Sequence, residues 1–205
     1  GMHIDPAEDV IEVNGQTLQY RKYIYLMLHK PAGVISATED DRHRTVLDLL
    51  AVQDRVFSPF PVGRLDKDTE GLLLLTNDGL TAHRLLSPKR QVPKLYYAEV
   101  DGILGESDDK QFEQGVVLDD GYKTLPAKLH ILDHELGRGS GVSKAKITIV
   151  EGKYHQVKRM FASVGKKVLY LKREAMGGLQ LDPALKPGQY RELTEEEIML
   201  IKQQA

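Results

Sequence analysis

The chain has 205 residues, of which 41% are hydrophobic and 28% are charged, and its net charge at neutral pH is −2. This is an ordinary globular composition, long enough for one large domain or two small lobes, and it lacks the ~18 consecutive apolar residues of a membrane helix. The absence of cysteine excludes disulfides, a thiolate nucleophile and cysteine-ligated zinc, and it fits a reducing cytoplasm, where we expect the protein to act.

The first half of the chain predicts strands that end at Gly, Pro and Asn signals. Asn14-Gly15 is a hairpin signal, and Tyr23–His29 alternates two faces as a buried strand does. Leu72–Thr76 is apolar on both faces, which is typical of a central strand. The predicted elements are a strand and turn at 10–16, a strand at 23–29, a short helical turn at 45–50, a strand at 72–76 and a helix at 80–86 begun by Asp78.

The second half mixes strands and helices without a regular βαβ period. Ser107 and the Thr194 and Glu197 capping box predict helix starts, whereas Gly115 and Gly165 predict helix ends. The predicted elements are a strand at 95–100, a helix at 107–115, strands at 128–132 and 144–150 joined by a mobile loop at 137–141, a helix at 154–164, a strand at 168–172 and a final helix. The fold class is therefore α+β, with a mixed or antiparallel sheet.

The stretch GRLDKDTEGLLLLTNDG at 63–79 places three acidic residues at alternate positions, and it has three readings. A calcium-binding EF-hand loop also needs a ligand near its ninth position and a Glu at its twelfth. Those positions hold Leu74 and Asn77, which disfavours calcium. An acidic surface turn remains open. The third reading is that Asp66 is held at the end of a rigid strand and acts as a nucleophile.

The basic segment 151–165 predicts a helix that would face such a carboxylate. Its apolar stripe comprises Val157, Met160, Phe161 and Val164, with His155 and Arg159 on the opposite face. Lys158 flanks the stripe, so it either emerges into a cleft or extends along packed surface. On the strand that begins at Lys94, Tyr96 and Tyr97 face opposite sides, so one is expected in the core and the other is free to stack on a base.

Basic and acidic residues are segregated along the chain. The segment 153–173 contains seven Lys or Arg residues and no acidic residue, with smaller basic clusters at 42–44 and 89–90. Acidic residues concentrate at 5–12, 101–120 and 192–197. This pattern is about equally consistent with a surface that binds a polyanion and with a charged surface that only contacts solvent.

Several stretches together resemble the motifs of the RsuA/RluB/RluE/RluF family of pseudouridine synthases. They are His29-Lys30-Pro31-Ala32-Gly33 (family NKP-x-G), Gly63-Arg64-Leu65-Asp66 (GRLD), Lys94-Leu95-Tyr96 (KTY), residues 151–160, Leu171-Lys172-Arg173 and Gly177-Gly178. The resemblance spans about residues 11–201. His29 replaces the usual Asn and Leu95 the usual Thr, and neither has a direct chemical role. YHQVKRM and YRELTEEEI are most similar to the RsuA branch.

The resemblance implies the pseudouridine synthase fold, with helices flanking the sheet and a cleft between two lobes. It implies that Asp66 is the nucleophile, which attacks either the sugar or the base, that Lys158 is its basic partner and that Tyr96 packs against the target base. Arg64 would support the opened RNA. The further residues expected to bind RNA are Lys30, Lys94, His155, Arg159, Lys172 and Arg173.

The implied activity is the isomerisation of a ribosomal RNA uridine, specifically uridine 516 of 16S RNA, without a cofactor or a metal. Alternatives are a 23S RNA target, a non-catalytic RNA-binding module, or a glycoside hydrolase that pairs Asp66 with Asp68 or Glu70. Residues 1–22 are expected to be the remnant of an S4-like RNA-binding domain and linker, and residues 23–205 the catalytic domain. We expect a monomer that does not associate with membranes.

Overall fold

The strands with the most apolar sequences form the centre of one large sheet. A computed structural model describes residues 10–13, 16–19, 21–137 and 140–205. The strands are β1 (Val10–Val13), β2 (Gln16–Gln19), β3 (Tyr25–Lys30), β4 (Phe60–Pro61), β5 (Glu70–Thr76), β6 (Lys94–Asp101), β7 (Lys128–Gly137), β8 (Ser140–Ile149), β9 (Lys167–Met176), β10 (Leu179–Gln180) and β11 (Tyr190–Glu192).

The helices lie between these strands and after the last one. They are α1 (Val52–Arg55), α2 (Gly79–Leu86), α3 (Glu106–Gln114), α4 (Gln156–Ser163) and α5 (Glu195–Gln204), with short 3-10 turns at Val46–Leu49 and Pro88–Arg90. No helix in the described ranges is both long and apolar enough to cross a membrane.

The large sheet has the order β11-β3-β5-β9-β6-β8-β7, with β4 added to β5 and β10 added to β9. Among these pairs, β5 and β9 alone are parallel, and they pair only through Glu70 with Lys172 and Gly71 with Arg173. This short parallel pairing joins two antiparallel halves, one built around β3 and β5 and the other around β6, β8 and β9. The predicted α+β class and mixed sheet are confirmed.

Helices cover both faces of the sheet around its central strand β5. Alternate residues of β5 enter two separate cores, with Leu73 and Leu75 in one and Leu72 and Leu74 in the other. On the first face, Phe112 of α3 packs edge-to-face on Phe161 of α4, with ring centroids 5.2 Å apart. On the second face, α2 and α5 supply Ala82, Leu85 and Ile201. The prediction that residues 72–76 form a central strand is therefore confirmed.

The ends of several elements differ from the sequence predictions. Helix α3 begins at Glu106, because the Asp108 carboxylate accepts the Gly105 N–H at 2.8 Å, so Ser107 lies inside the helix and is not its cap. Strands β7 and β8 extend to Gly137 and Ser140, which pair with each other. Most of the predicted loop at 137–141 is therefore strand.

At the N-terminal end, β1 and β2 form a two-stranded sheet of their own, with Val13 opposite Gln16. The predicted hairpin is confirmed, although its turn, Asn14-Gly15, lies outside the described residues. Residues 1–9 of the expected S4-like remnant also lie outside them.

Candidate active site

Asp66 lies on the loop between β4 and β5, and the buried side chain of Lys30 holds this loop in place. Lys30 has no exposed surface, and its Nζ donates to the carbonyl oxygens of Pro31, Lys67 and Thr69 at 2.9, 3.1 and 2.8 Å. Burial lowers the pKa of Lys30 to about 8, although nearby carboxylates oppose this shift. The expectation that Lys30 contacts RNA is wrong for this reason, because its ammonium group is already occupied by the loop.

Further hydrogen bonds fix the loop on either side of Asp66. The Ser36 hydroxyl contacts both the N–H and the carbonyl oxygen of the buried Leu65, each at 3.1 Å. The Thr69 N–H donates to the Asp66 carbonyl at 3.0 Å, which closes a tight turn. Asp66 is therefore held by a rigid backbone immediately before the central strand.

Two basic side chains contact the Asp66 carboxylate. His155 Nε2 lies 3.2 Å from Oδ1, and Lys158 Nζ lies 3.1 Å from Oδ2. Lys158 also donates to Asp68 Oδ1 at 2.7 Å. Burial opposes the charge on Lys158, but the hydrogen bonds to Asp68 and Asp66 outweigh it and raise the pKa of Lys158. The same bond lowers the pKa of Asp68.

The start of α4 brings both of these side chains to Asp66. His155 has φ 47° and ψ 37° and precedes the helix, which begins at Gln156. The buried Gln156 side chain accepts the Lys153 N–H at 2.9 Å and fixes this entry. The helical periodicity of residues 154–164 predicts His155 on the face opposite the apolar stripe that Lys158 flanks. A left-handed residue interrupts that periodicity, so His155 contacts Asp66, a role that the sequence analysis missed.

A cavity of about 720 Å³ opens beside Asp66 at the junction of the two sheet halves. One wall is the loop of Arg64 and Asp66, and the opposite wall includes Tyr96 of β6 and Leu171 of β9. Tyr96 is 8% exposed. This volume is in the range of small-molecule sites, so the cavity is large enough for an extruded nucleoside.

Two further cations, Lys94 and Arg173, line the same cavity. Arg173 is buried, and its Nε donates to the Leu72 carbonyl at 2.9 Å, while Nη2 has no partner among the described residues. Burial, and then the charge of Arg173, lower the pKa of Lys94. Arg173 lies opposite Tyr96 in the β6–β9 register. The cavity therefore carries unsatisfied N–H donors next to its aromatic wall.

The remaining predicted RNA-binding residues are divided between the cavity and other surfaces. Arg64 is exposed and lines the cavity. Arg159 does not line it, because its guanidinium group contacts Asp119 and Asp120 at 2.7 and 3.0 Å. Lys172 alternates with Leu171 and Arg173 along β9 and so faces the other side of the sheet. The structure therefore does not bring Arg159 or Lys172 to the cavity.

Glu151 anchors a segment that the sequence analysis did not connect with the site. Its carboxylate accepts hydrogen bonds from the Tyr122 hydroxyl and from the Leu125 N–H, the latter at 2.6 Å. Lys153 Nζ lies 4.8 Å from the centre of the Tyr122 ring. All four residues line the cavity. These contacts link residues 122–125 to the entry of α4.

The three acidic residues at 66–70 point in different directions, which argues against a shared calcium ion. Asp66 faces the cavity, the Asp68 side chain is 76% exposed, and Glu70 accepts a hydrogen bond from Tyr170 at 2.8 Å. In the described part of the chain, no group of three or more His, Asp or Glu side chains is arranged to hold a metal ion.

Comparisons with known proteins identify relatives over most of the chain. Residues 24–163 match the family described as RNA pseudouridylate synthase. An uncharacterised RNA pseudouridine synthase of Bacillus subtilis, YtzG, is 54% identical over 98% of this chain and 82% of its own length. The ribosomal large subunit pseudouridine synthase B of B. subtilis is 42% identical over 96% and 78%. The small subunit synthase A of Vibrio cholerae is 42% identical over 93% and 79%.

A solved pseudouridylate synthase structure agrees with these sequence relatives. It superposes with a TM-score of 0.79 at 36% identity, over 98% of this chain and 83% of that one. Similarity therefore extends through both halves of the sheet.

Proposed function

The chain belongs to the RsuA/RluB family of RNA pseudouridine synthases and is an isomerase, and from this premise we propose that Asp66 is the nucleophile that acts on one uridine of ribosomal RNA. The observation that carries the proposal is the position of Asp66, whose carboxylate contacts Lys158 and His155 at the wall of a cavity. A carboxylate held in this way on a rigid loop is oriented for attack.

The reaction exchanges one bond for another without gain or loss of atoms. Asp66 attacks C1′ of the ribose, a C1′–O bond forms, and the C1′–N1 bond breaks to release the uracil as an anion. The base rotates, and C5 attacks C1′ and displaces the carboxylate. Transfer of the C5 proton to N1 then completes the pseudouridine. No oxidant, reductant or energy source takes part.

Lys158 and His155 prepare Asp66 for this step. Lys158 stays protonated because hydrogen bonds to two carboxylates raise its pKa, so it provides a fixed positive charge next to the attacking oxygens. His155 Nε2 can donate to the other oxygen and fix the rotation of the carboxyl group. Both contacts reduce the reorganisation that attack on C1′ requires.

The opposite wall of the cavity would bind the base. Extrusion of the uridine from its helix costs a few kcal/mol, and stacking on Tyr96 returns roughly 1–3 kcal/mol. Nη2 of Arg173, which has no partner in the described part of the chain, and the ammonium group of Lys94 supply donors for the carbonyl oxygens of the base. Their charges also stabilise the uracil anion between bond cleavage and reattachment.

Asp66→Asn tests the nucleophile, with Asp68→Asn as its matched control. Both residues contact Lys158, but Asp68 is mostly exposed and would not reach C1′. We expect Asp66→Asn to slow tritium release from C5-labelled uridine in ribosomal RNA transcripts by more than about 10³-fold, and Asp68→Asn to slow it by less than about tenfold. A folded Asp66→Asn variant that still released tritium at a comparable rate would refute the assignment.

For the target we propose uridine 516 of the 16S RNA, supported by the similarity to small subunit synthase A. The 42% identity to a large subunit synthase makes a 23S uridine the second candidate. Pseudouridine mapping in both ribosomal RNAs from a strain without the gene separates the two. Loss of a 23S site alone would refute the 16S proposal.

We further propose that residues 1–22 are the end of an S4-like RNA-binding domain, which the separate β1–β2 sheet supports.

The protein would act in the cytoplasm as a monomer. Chromatography with light scattering tests the monomer, and a concentration-independent dimer mass would contradict it.

A further inference from the structure

Tyr154 is highly exposed although it lines the catalytic cavity. Its exposed fraction of 74% is the largest among the large apolar side chains in the described residues. An exposed aromatic ring at the mouth of a cavity loses favourable apolar burial, unless a ligand covers it. This position is therefore a candidate contact for RNA outside the base pocket itself.

One face of the Tyr154 ring is covered and the other is free to bind a ligand. The ring is stacked on the His155 imidazole, with centroids 3.8 Å apart and an interplanar angle of 17°. His155 in turn contacts Asp66 at 3.2 Å. Contacts therefore link the nucleophile through His155 to the Tyr154 ring, and a base stacked on Tyr154 would lie outside the pocket of the reacting nucleotide.

The backbone holds this stack in place before any ligand binds. His155 has a left-handed conformation, which is strained for a residue other than glycine and recurs at functional sites. The Tyr154 carbonyl accepts a hydrogen bond from Arg159 Nη1 at 2.8 Å, and Arg159 is fixed by Asp119. Such preorganisation lowers the entropy that binding would otherwise lose.

We propose that Tyr154 is a stacking platform for the nucleobase adjacent to the extruded uridine, a substrate-binding contact that rests on the proposed function. Extrusion leaves the neighbouring base without a stacking partner on one side. The free face of Tyr154 replaces that partner, and because every base has a π-face it accepts a purine or a pyrimidine. Tyr154 thus binds RNA, whereas Asp66 carries out the reaction.

Steady-state kinetics on 16S and 23S transcripts separate this role from a structural one. We expect Tyr154→Ala to raise KM about tenfold and to change kcat less than about twofold. Tyr154→Phe should keep the wild-type KM, and Tyr154→Leu should raise KM less than Tyr154→Ala does. Met199→Ala, a 61% exposed residue of α5 outside the cavity lining, is the control. A lower kcat at unchanged KM would overturn the proposal, because Tyr154 would then only support His155.

Photocrosslinking tests the platform independently of turnover. The variant Tyr154→p-benzoylphenylalanine, combined with Asp66→Asn, is irradiated with the same transcripts, and Met199→p-benzoylphenylalanine in the same background is the control. We expect adducts at 154 on a nucleotide next to the uridine that the wild-type protein modifies. Adducts no more frequent than those at 199 would overturn the proposal. Wild-type protein that forms no pseudouridine would instead refute the proposed function.

Discussion

Lys30 shows at the residue scale how a charged side chain serves catalysis without contacting the substrate. Its ammonium group donates to three carbonyl oxygens, two of them in the loop that carries Asp66. We expect Lys30→Met, which keeps the side-chain volume, to lower the free energy of unfolding by about 2–4 kcal/mol, since buried acceptors are left unsatisfied. Urea unfolding measures this change, and an unchanged midpoint would contradict it.

The same variant makes a pH prediction with a defined sign. Folding lowers the pKa of Lys30 from 10.5 to about 8, so between these values the unfolded chain binds more protons than the folded one. Lys30 therefore makes stability rise as the pH increases from about 8 to 10. The stability difference between wild type and Lys30→Met should grow over this range, and a constant difference would contradict the shift.

His155 illustrates what sequence reasoning misses at this scale. The motif supplied Asp66 and Lys158 as partners, and the structure brings them within 3.1 Å. The contact between His155 and Asp66 depends on one left-handed backbone conformation, which no local propensity of histidine predicts. The spacing of three residues between His155 and Lys158 was the available signal, because such residues lie on the same side of a helix.

At the element scale, the short pairing of β5 with β9 depends on one glycine. Gly71 has φ 114°, and a Cβ there would lie 2.2 Å from the Arg173 carbonyl oxygen. Gly71→Ala must therefore separate the two strands at the parallel pairing that joins the two sheet halves. We expect a loss of about 2–4 kcal/mol in unfolding free energy, together with reduced turnover because Arg173 lines the cavity.

Gly79→Ala is the matched control for Gly71→Ala. Gly79 is the first residue of α2, and a Cβ there would meet no atom within 4 Å. Alanine is a better helix former than glycine, so stability should stay the same or rise slightly. Thermal unfolding of both variants measures the contrast, and equal effects would show that close strand approach is not the cause.

The predicted elements were most accurate where apolar periodicity and caps agreed. Residues 72–76 and the Asp78 cap appear as expected, because burial on both faces and a local hydrogen bond each leave a clear pattern. Strands β7 and β8 were predicted too short, because their outer halves are polar and glycine-rich and are held by pairing with each other. Pairing across such a hairpin leaves no apolar periodicity in the sequence of either strand.

On the scale of the whole molecule, the cavity depends on contacts between residues far apart in the chain. Asp66, Tyr96, Lys158 and Arg173 meet where the two sheet halves join. Periodicity could not predict this meeting, whereas the family motifs could, because they identify the residues that the shared fold brings together. The motifs did not predict that Lys30 is buried or that Lys172 faces the other side of the sheet, since shared motifs do not distinguish structural from substrate contacts.

The charge of the cavity differs from that of the molecule. Six Lys or Arg residues and two acidic residues line it, although the net charge of the chain is −2. RNA should therefore bind here through its phosphates, with affinity that falls as salt rises. We expect Lys67→Ala to weaken binding to 16S transcripts several-fold and to reduce the slope of log Kd against log salt by about 0.7, the value for one phosphate contact on single-stranded RNA.

Lys67 suits this test because its side chain is exposed at the cavity, while only its backbone carbonyl supports Lys30. Lys110→Ala is the control, since Lys110 is also an exposed cation, lies on α3 and is outside the cavity lining. Filter binding over a range of salt concentrations gives both slopes. If attraction between RNA and the protein were spread evenly over the surface, the two variants would change the slope equally. A change confined to Lys67→Ala assigns the phosphate contact to the cavity mouth.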